Sequence, residues 1–431
     1  MTTHSQNIFV FDQNKCVGCN ACSVACMNEN GVDPALPWRN VYAAPAEKPE
    51  LPLFYLSLSC NHCEDAPCMK GCPALAYSRD DITGAVLHHA DKCIGCQYCT
   101  WTCPFDAPKY NASKGIVEKC TFCNHRLLEG RKPACAELCP VGALDVEQTI
   151  FSRKDSWESS PVPVDVGSKI KIIPLEEGRK GPRMDLSLFT DLQPAVVQPV
   201  PTKISAKKEW PLLIFTLLVA AMTGIYASGI TSSFGQSQKL GFVGIGVIAA
   251  VFSLLHLGKK QRAWRAILNV RGSWLSREIL FFGLFLGSLT VDLLLFDLPD
   301  WLVILMGAGM LLSIDMLYQT ATWRWKTKVH SAQVLWIALS LFFLLKGMLP
   351  AFGIIGFLRI LLYFYRKTTP EARGQFMAWM RVTCLAGTVV FGFYQSIEIA
   401  LILFAAGEIL DRVEFYNELK VSHPQEEIVA S

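Results

Sequence analysis

DKCIGCQYCTWTCPFDAPKYN, residues Asp91 to Asn111, places Cys93, Cys96, Cys99 and Cys103 in the order C-x2-C-x2-C-x3-C and follows the last with Pro104. Three thiols on one tight loop can bind three irons of a cubane [4Fe–4S] cluster. The fourth lies too far along the chain to close that cube and ligates the other cluster of a pair. Working outward, the same pattern recurs at Cys16, Cys19, Cys22 and Cys26, where Met27 replaces the proline. A variant, C-x2-C-x4-C-x3-C-P, occupies Cys60, Cys63, Cys68 and Cys72, and C-x2-C-x11-C-x3-C-P occupies Cys120, Cys123, Cys135 and Cys139. Two runs make one two-cluster module, so four runs predict two modules and four clusters. Zinc sites use isolated C-x2-C pairs, often with histidine, and leave the other cysteines of each run unexplained. Which runs pair with which is not set by spacing.

The chain has 431 residues, of which 51% are hydrophobic and 18% charged, with a net charge of +3. Soluble domains carry about a quarter of charged residues, so an ordinary cytosolic globule is excluded. A small net charge without Lys/Arg-rich blocks argues against nucleic acid as a partner. Sixteen of the 17 cysteines lie between Cys16 and Cys139, whereas long apolar runs begin only at Trp210. Met1 to Val10 has neither a basic start nor a long apolar core, so no secretory signal is expected, and disulfides conflict with that. The expected organisation is a cluster domain over 1–146, a proline-rich strap or linker over 147–208, and a membrane domain over 209–431. The strap holds Pro161, Pro163, Pro174, Pro182, Pro194, Pro199 and Pro201, which oppose helix and leave short strands at best.

A spanning helix needs about 20 mainly apolar residues. Candidates are Trp210–Ile230, Leu240–Leu257, Arg277–Phe296, Trp301–Tyr318, Gln333–Leu349 and Ala351–Phe364. The tract from Phe376 to Leu410 is too long for one span, and Gly392 and Gln395 offer a break, which predicts about eight spans. On the side of the cysteine domain the loops carry Lys259, Lys260, Arg262, Arg265, Arg271 and Arg277, then Arg324, Lys326 and Lys328, then Arg366, Lys367, Arg373 and Arg381. The other side offers Lys239, Lys346 and an acidic turn at Asp297–Asp300. The positive-inside rule makes the cysteine side cytoplasmic. The expected location is therefore the bacterial inner membrane, multi-pass, with the cluster domain facing the cytoplasm.

The stretches YLSLSCNHCEDAPCMKGCP, DKCIGCQYCTWTCPFDAPKYN and KCTFCNHRLLEGRKPACAELCPVGAL resemble the four-cluster iron–sulfur subunit of dimethyl sulfoxide reductase and related complex iron–sulfur molybdoenzymes. HLGKKQRAWRAILNVRGSWLSREIL (His256 to Leu280) and GEILDRVEFY near the end resemble the membrane anchor subunit of that family. The resemblance implies an α+β bacterial-ferredoxin-like four-cluster domain fused to an all-α transmembrane helix bundle. It implies ligand sets of Cys16, Cys19, Cys22 and Cys139; Cys120, Cys123, Cys135 and Cys26; Cys60, Cys63, Cys68 and Cys103; and Cys93, Cys96, Cys99 and Cys72. The first of these would lie nearest the catalytic partner and the last nearest the membrane. Cysteine at Cys96, where some relatives have tryptophan and a three-iron cluster, implies four cubanes. The resemblance further implies a separate molybdopterin-containing catalytic subunit, contact with lipid and the quinone pool, menaquinol as reductant, and no haem.

Bond-making motifs are not evident, so the chain reads as the non-catalytic part of a quinol-dependent oxidoreductase of anaerobic respiration. His256 lies at the end of a predicted span, and an imidazole can accept a quinol proton near neutral pH. Arg262, Arg265, Trp274, Arg277 and Glu278 are candidates for the mouth of that site, although basic residues there also anchor headgroups. His62 and His125, beside cluster cysteines, read either as groups that tune a cluster's potential or, more simply, as solvent-facing loop histidines, and His88 and His89 as surface residues of a turn. Among ionisable groups near spans, Asp292 and Asp315 read as solvated, Glu398 and Lys346 as suspects, and Cys384 as a packing residue. The alternative is an ion-translocating membrane module driven by a ferredoxin-like domain, which would need a chain of buried acids and lysines through the bilayer.

Overall fold

A computed structural model describes residues 5–43, 55–150, 165–176, 203–322, 325, 328–368, 375–394, 396–419, 421 and 423–424. Most of the predicted strap, Arg324, Lys326, Arg373 and Gln395 lie outside the described residues. The chain divides into two compact units, one of residues 1–201 with 421–431 and one of residues 202–420.

The first unit is built on short elements. Strand β1 (Ser5–Asp12) pairs antiparallel with β8 (Leu144–Ile150) and parallel with β9 (Ile170–Ile173), in the order β8-β1-β9. Between β1 and β8 come helix α1 (Ala21–Asn30) and the hairpins β2–β3 (Asn40–Ala43, Tyr55–Leu58), β4–β5 (Tyr77–Arg79, Val86–His88) and β6–β7 (Lys109–Asn111, Ile116–Glu118). Short helices α2 (Pro67–Lys70), α3 (Tyr98–Thr102), α4 (Asn124–Leu128) and α5 (Ala134–Glu137) follow or contain cysteines. The core is small: Phe9, Phe11, Leu56, Leu58, Phe122 and Leu144 pack together with Cys22 and Cys135 among them. Apolar burial this modest does little for a domain of so many loops, so further cross-links are needed.

Two boundaries differ from those read in the sequence. The domain does not close at 146, because β8 runs on to Ile150 and β9, inside the predicted strap, adds a parallel strand to β1. At the other end His423 belongs to this unit, with its Nε2 3.3 Å from Asp106 and its ring edge-on to Tyr42 at 5.7 Å.

The second unit is helical. Its α-helices are α6 (Trp210–Ala227), α7 (Gln236–Leu255), α8 (Trp274–Leu294), α9 (Asp300–Tyr318), α10 (Val334–Leu345), α11 (Leu349–Lys367), α12 (Gln375–Phe393) and α13 (Ile397–Glu418), with short 3-10 turns at Ile230–Ser233 and Lys260–Ile267. Each predicted span overlaps one of these helices, and the tract after Phe376 is split in two, between Phe393 and Ile397. Four of them, α6, α7, α9 and α11, are long and apolar enough to cross a membrane. Helix α10 has 12 residues, about 18 Å at 1.5 Å each. Close packing uses small residues: a Cβ on Gly224 of α6 would stand 2.6 Å from the Ala338 carbonyl oxygen of α10.

Candidate functional site

The first unit gathers its cysteines into four sets that mix distant runs. Cys16, Cys19, Cys22 and Cys139 line one pocket, and the Cys16 thiol lies in the field of the other three. Cys26 lies in the field of Cys120, Cys135 and Cys123. Cys60, Cys63, Cys68 and Cys103 line a second pocket. Cys96 faces Cys72 and Cys93, and Cys99 faces Cys96 and Cys72. Neighbouring sets also touch one another's fields: Cys135 feels Cys22, Cys120 feels Cys60, and Cys99 feels Cys68. Four sets linked first to second, second to third and third to fourth stand in a row.

One local bend explains the loops. The third residue of the first C-x2-C pair in each run has left-handed backbone: Gly18 at φ +73°, His62 at +47°, Gly95 at +71° and Phe122 at +63°. Such a turn swings successive N–H groups inward into a nest that favours negative charge. The amides of Gly95, Phe122 and Ala76 accordingly point at the sulfurs of Cys93, Cys120 and Cys72 at 3.3–3.4 Å. Glycine adopts this conformation without strain, whereas His62 and Phe122 are held there by packing on each other, ring centroids 4.7 Å apart.

These sets suit a cluster better than a single ion. Among the described residues no three His, Cys, Asp or Glu side chains are arranged to share one metal ion, which zinc would require. Burial pushes the thiols of Cys16, Cys72 and Cys135 up and that of Cys120 to about 12. Four such thiols become thiolates together only where a strongly positive centre sits among them, as the irons of a cubane supply.

The histidines fall differently from the sequence reading. His62 is fully buried and not solvent-facing, because its Nδ1 accepts the Val86 amide at 2.9 Å while its ring covers Phe122. Burial, then nearby Lys119, holds its imidazole well below the ordinary range. His125 does reach solvent and pairs with Glu29 at 2.7 Å. His88 ends strand β5, and His89 beyond it bonds Ser78 at 2.7 Å, so both are half-buried parts of a hairpin.

In the helical unit His256 caps the C-terminus of α7. Glu278, in the first turns of α8, is buried in the field of Arg412. Arg277 lies 4.1 Å over the Trp274 ring and donates to the carbonyls of Val270 and Arg271, a local stacking role. Arg262 and Arg265 are half-buried in the 3-10 turn. The pattern missed a buried polar cluster beside Glu278. There the Tyr318 and Tyr416 hydroxyls bond each other, and Arg412 crosses both rings while donating to Thr216 Oγ1 at 3.2 Å and the Ala332 carbonyl at 2.7 Å. Only the GEILDRVEFY resemblance pointed toward it.

The suspected intramembrane charges are also corrected. Glu398 and Lys346 are exposed at helix ends. Asp315 is buried instead, because its oxygens accept the amides of Val334 and Leu335 at 2.8 and 3.3 Å and so cap α10. Asp292 is half-buried under Tyr226 and the Leu298 amide. The buried ions lie elsewhere. Arg359 grips Glu408 at both oxygens at 2.6 Å, Asp411 takes Arg366 at 2.8 Å and Arg381 at 2.5 Å, and Arg366 and Lys367 hold Glu418 and Glu414.

A family model described as a 4Fe-4S dicluster domain matches residues 51–149. The B subunit of the anaerobic dimethyl sulfoxide reductase of Escherichia coli (strain K12) is 43% identical over 155 residues, 34% of this protein and 74% of that one. The thiosulfate reductase electron transfer subunit of Salmonella typhi is 36% identical over 157 residues, 36% of this protein and 81% of that one. The arsenate respiratory reductase iron-sulfur subunit of Shewanella sp. (strain ANA-3) is 31% identical over 198 residues, 33% and 84% respectively. Each relative is matched over most of its own length, so what is shared is a nearly whole subunit. The protein belongs to the family of iron–sulfur electron-transfer subunits that includes the B subunit of dimethyl sulfoxide reductase, and its apolar helices fit a fused anchor portion.

Proposed function

We propose that this protein withdraws electrons from menaquinol in the membrane and delivers them, through four [4Fe–4S] clusters, to a separate molybdopterin-containing subunit. The observation that carries it is the row of four four-cysteine sets inside one unit, joined in one chain to helices fit to cross a bilayer. In this reading Cys16, Cys19, Cys22 and Cys139 hold the first cluster and Cys120, Cys123, Cys135 and Cys26 the second. Cys60, Cys63, Cys68 and Cys103 hold the third, and Cys93, Cys96, Cys99 and Cys72 the fourth, where electrons enter. Bound clusters supply one-electron storage at four successive points.

The chain's own residues do the rest. The loop nests direct amides at the thiolates. At the near end of α7 and α8, His256 takes a quinol proton, and Glu278 with the Tyr318–Tyr416 pair orients the hydroxyls of the headgroup. All eight helices span in this reading, and the basic 259–277 segment puts the cluster domain in the cytoplasm. That segment now carries most of the orientation argument, since Arg366, Lys367 and Arg381 are consumed in ion pairs. In this reading the 1–146, 147–208 and 209–431 segments serve as cluster domain, connection and anchor, with the sheet boundaries corrected above.

The test is anaerobic reconstitution of the full chain in lipid nanodiscs. Four irons and four sulfides per set, and reduction of the iron–sulfur centres by menaquinol, are expected. His256→Ala should stop that reduction while the paramagnetic signals of all centres remain. A chain without iron, or one that dithionite reduces and menaquinol does not, would overturn the reading.

A further inference from the structure

Among the described residues, two buried cations of the first unit adjoin cysteine sets with no carboxylate beside them; a third, Lys169, lies in the field of Glu64 and donates to the Gly84 carbonyl at 3.3 Å. Arg39 is 1% exposed, and its guanidinium donates to the Ser57 carbonyl at 3.3 Å, the Ser57 hydroxyl at 3.0 Å and the Ser59 hydroxyl at 2.7 Å, above the Phe9 ring at 4.7 Å. Lys119 is 2% exposed, and its ammonium donates to the carbonyls of Val86 and Cys120. Among the described residues, no acidic side chain lies within ion-pair distance of either. A buried cation facing only neutral dipoles costs several kcal/mol. Something negative must therefore face these two.

What faces them is sulfur. Ser57, held by Arg39, lies 3.4 Å from Cys22 of the first set, and the other side of the guanidinium reaches Cys135 of the second. Lys119 adjoins Cys120 of the second set in sequence and lines the pocket of Cys60, Cys63, Cys68 and Cys103, the third. The first gap in the row thus holds a guanidinium and the second an ammonium. Among the described residues no such cation stands in the third gap: the Tyr77 hydroxyl, a neutral donor, is there beside Cys99.

We propose that Arg39 and Lys119 are fixed counter-cations between successive redox centres, raising the reduction potentials of the first three and leaving the fourth the poorest electron acceptor. The proposal rests on the cluster reading above. A thiolate-ligated cluster is already negative, and each added electron makes it more so, so a permanent positive charge in a dry gap favours the reduced state on both sides. Because one cation serves two centres, an electron on either side is opposed less by an electron on the other. The cationic gaps lie at one end of the row, so charge placed at the fourth centre is drawn toward the first. Neither residue binds iron or substrate; both act through the field.

The test is a redox titration of the full chain, followed by the paramagnetic signals of each centre. Arg39→Gln should lower the reduction equilibrium constant of the first and second centres at least tenfold, which is 59 mV for one electron. Lys119→Met should do the same to the second and third, with the fourth unmoved in both, and Arg39→Lys should restore most of the loss. Unchanged potentials, or an equal shift in all four centres, would overturn the proposal. So would neutral variants that fail to assemble while Arg39→Lys assembles with potentials moved as far as a neutral side chain should move them, since the cation would then be structural. If the unaltered chain shows no cluster signal, the cluster reading fails first and by itself.

Discussion

Gly18→Ala separates two costs that usually arrive together. Gly18 is the third residue of the first C-x2-C pair, at φ +73°, and a Cβ there would meet the Tyr55 ring at 2.5, 2.6 and 2.8 Å from Cε1, Cζ and Cδ1. Gly142, three residues after Cys139 and therefore at the same cysteine set, has φ +61° with nothing within 4 Å of its Cβ position. Alanine in left-handed backbone costs about 1–2 kcal/mol at either site. Only Gly18→Ala must also displace a ring, and overpacking adds roughly 1–3 kcal/mol. The two variants should therefore differ by that second amount, which at about 2–4 °C per kcal/mol is roughly 2–12 °C in melting temperature.

The consequence for the first centre follows from where Tyr55 sits. It opens β3, whose Ser57 contacts Cys22 and anchors Arg39, so displacing it moves the wall of the first set. Gly18→Ala should lose the first centre's iron, sulfide and paramagnetic signal while three centres remain, and Gly142→Ala should keep all four. Removing the ring in Gly18→Ala/Tyr55→Ser should bring the double variant back to the Gly142→Ala level. Equal melting temperatures and equal iron content for the two single variants would refute the clash argument. Failure of the Tyr55 substitution to rescue would refute its geometry.

In the helical unit, Arg359→Leu should cost about 3–5 kcal/mol because Glu408 is left charged and buried, whereas Arg359→Leu/Glu408→Leu should recover most of that. Unfolding in mild detergent reads both, and a double variant as unstable as the single one would contradict a two-partner ion pair. Asp80 organises the β4–β5 turn through the amides of Ile82 and Thr83 at 3.1 and 2.8 Å, and the Thr83 amide holds its carboxyl below the usual range. A depressed carboxylate stabilises above its unfolded value, near 3.9, and that stability is lost as pH falls through the lower folded value. Hydrogen exchange of the hairpin amides after a pH jump from 6 to below 4 should show the loss, and Asp80→Asn should flatten it.

The cysteine spacing and the apolar runs were legible because each signal is local. The first C-x2-C pair of each run bends the same way, and a run such as Trp210 to Ala227 declares itself by hydropathy alone. What escaped were pairings at long range. Arg359 looks like an interruption in an apolar run, since its partner Glu408 is 49 residues away. Asp315 at the end of α9 reads as solvated until α10 begins beside it. His62 reads as a loop residue because the Phe122 ring that covers it arrives from another run. Of the strap's prolines only Pro174 lies among the described residues, and the pattern did not say where a strand would pair: the place of β9 is set by an edge of β1.

The buried ions bear on whether the helical unit pumps ions or serves quinol. More ionisable groups are buried than the sequence suggested, which would favour a pump if they formed a path. They do not cross the unit. Glu408, Asp411, Glu414 and Glu418 lie within eleven residues of α13, about 15 Å of helix against a hydrocarbon core of about 30 Å. Their partners come from the matching ends of α11 and α12. The remaining stretches, 349–358, 382–393 and 399–407, contain no ionisable carboxylate, lysine or arginine. At the opposite ends of α8 and α9, the acids Asp292 and Asp300 gather around the Tyr226 hydroxyl. A translocation route needs groups within proton reach across the whole depth, whereas these form a cross-linked knot at one end. Such a knot ties three helices together beside the Arg412 cluster, as the quinol site proposed above would require of its scaffold.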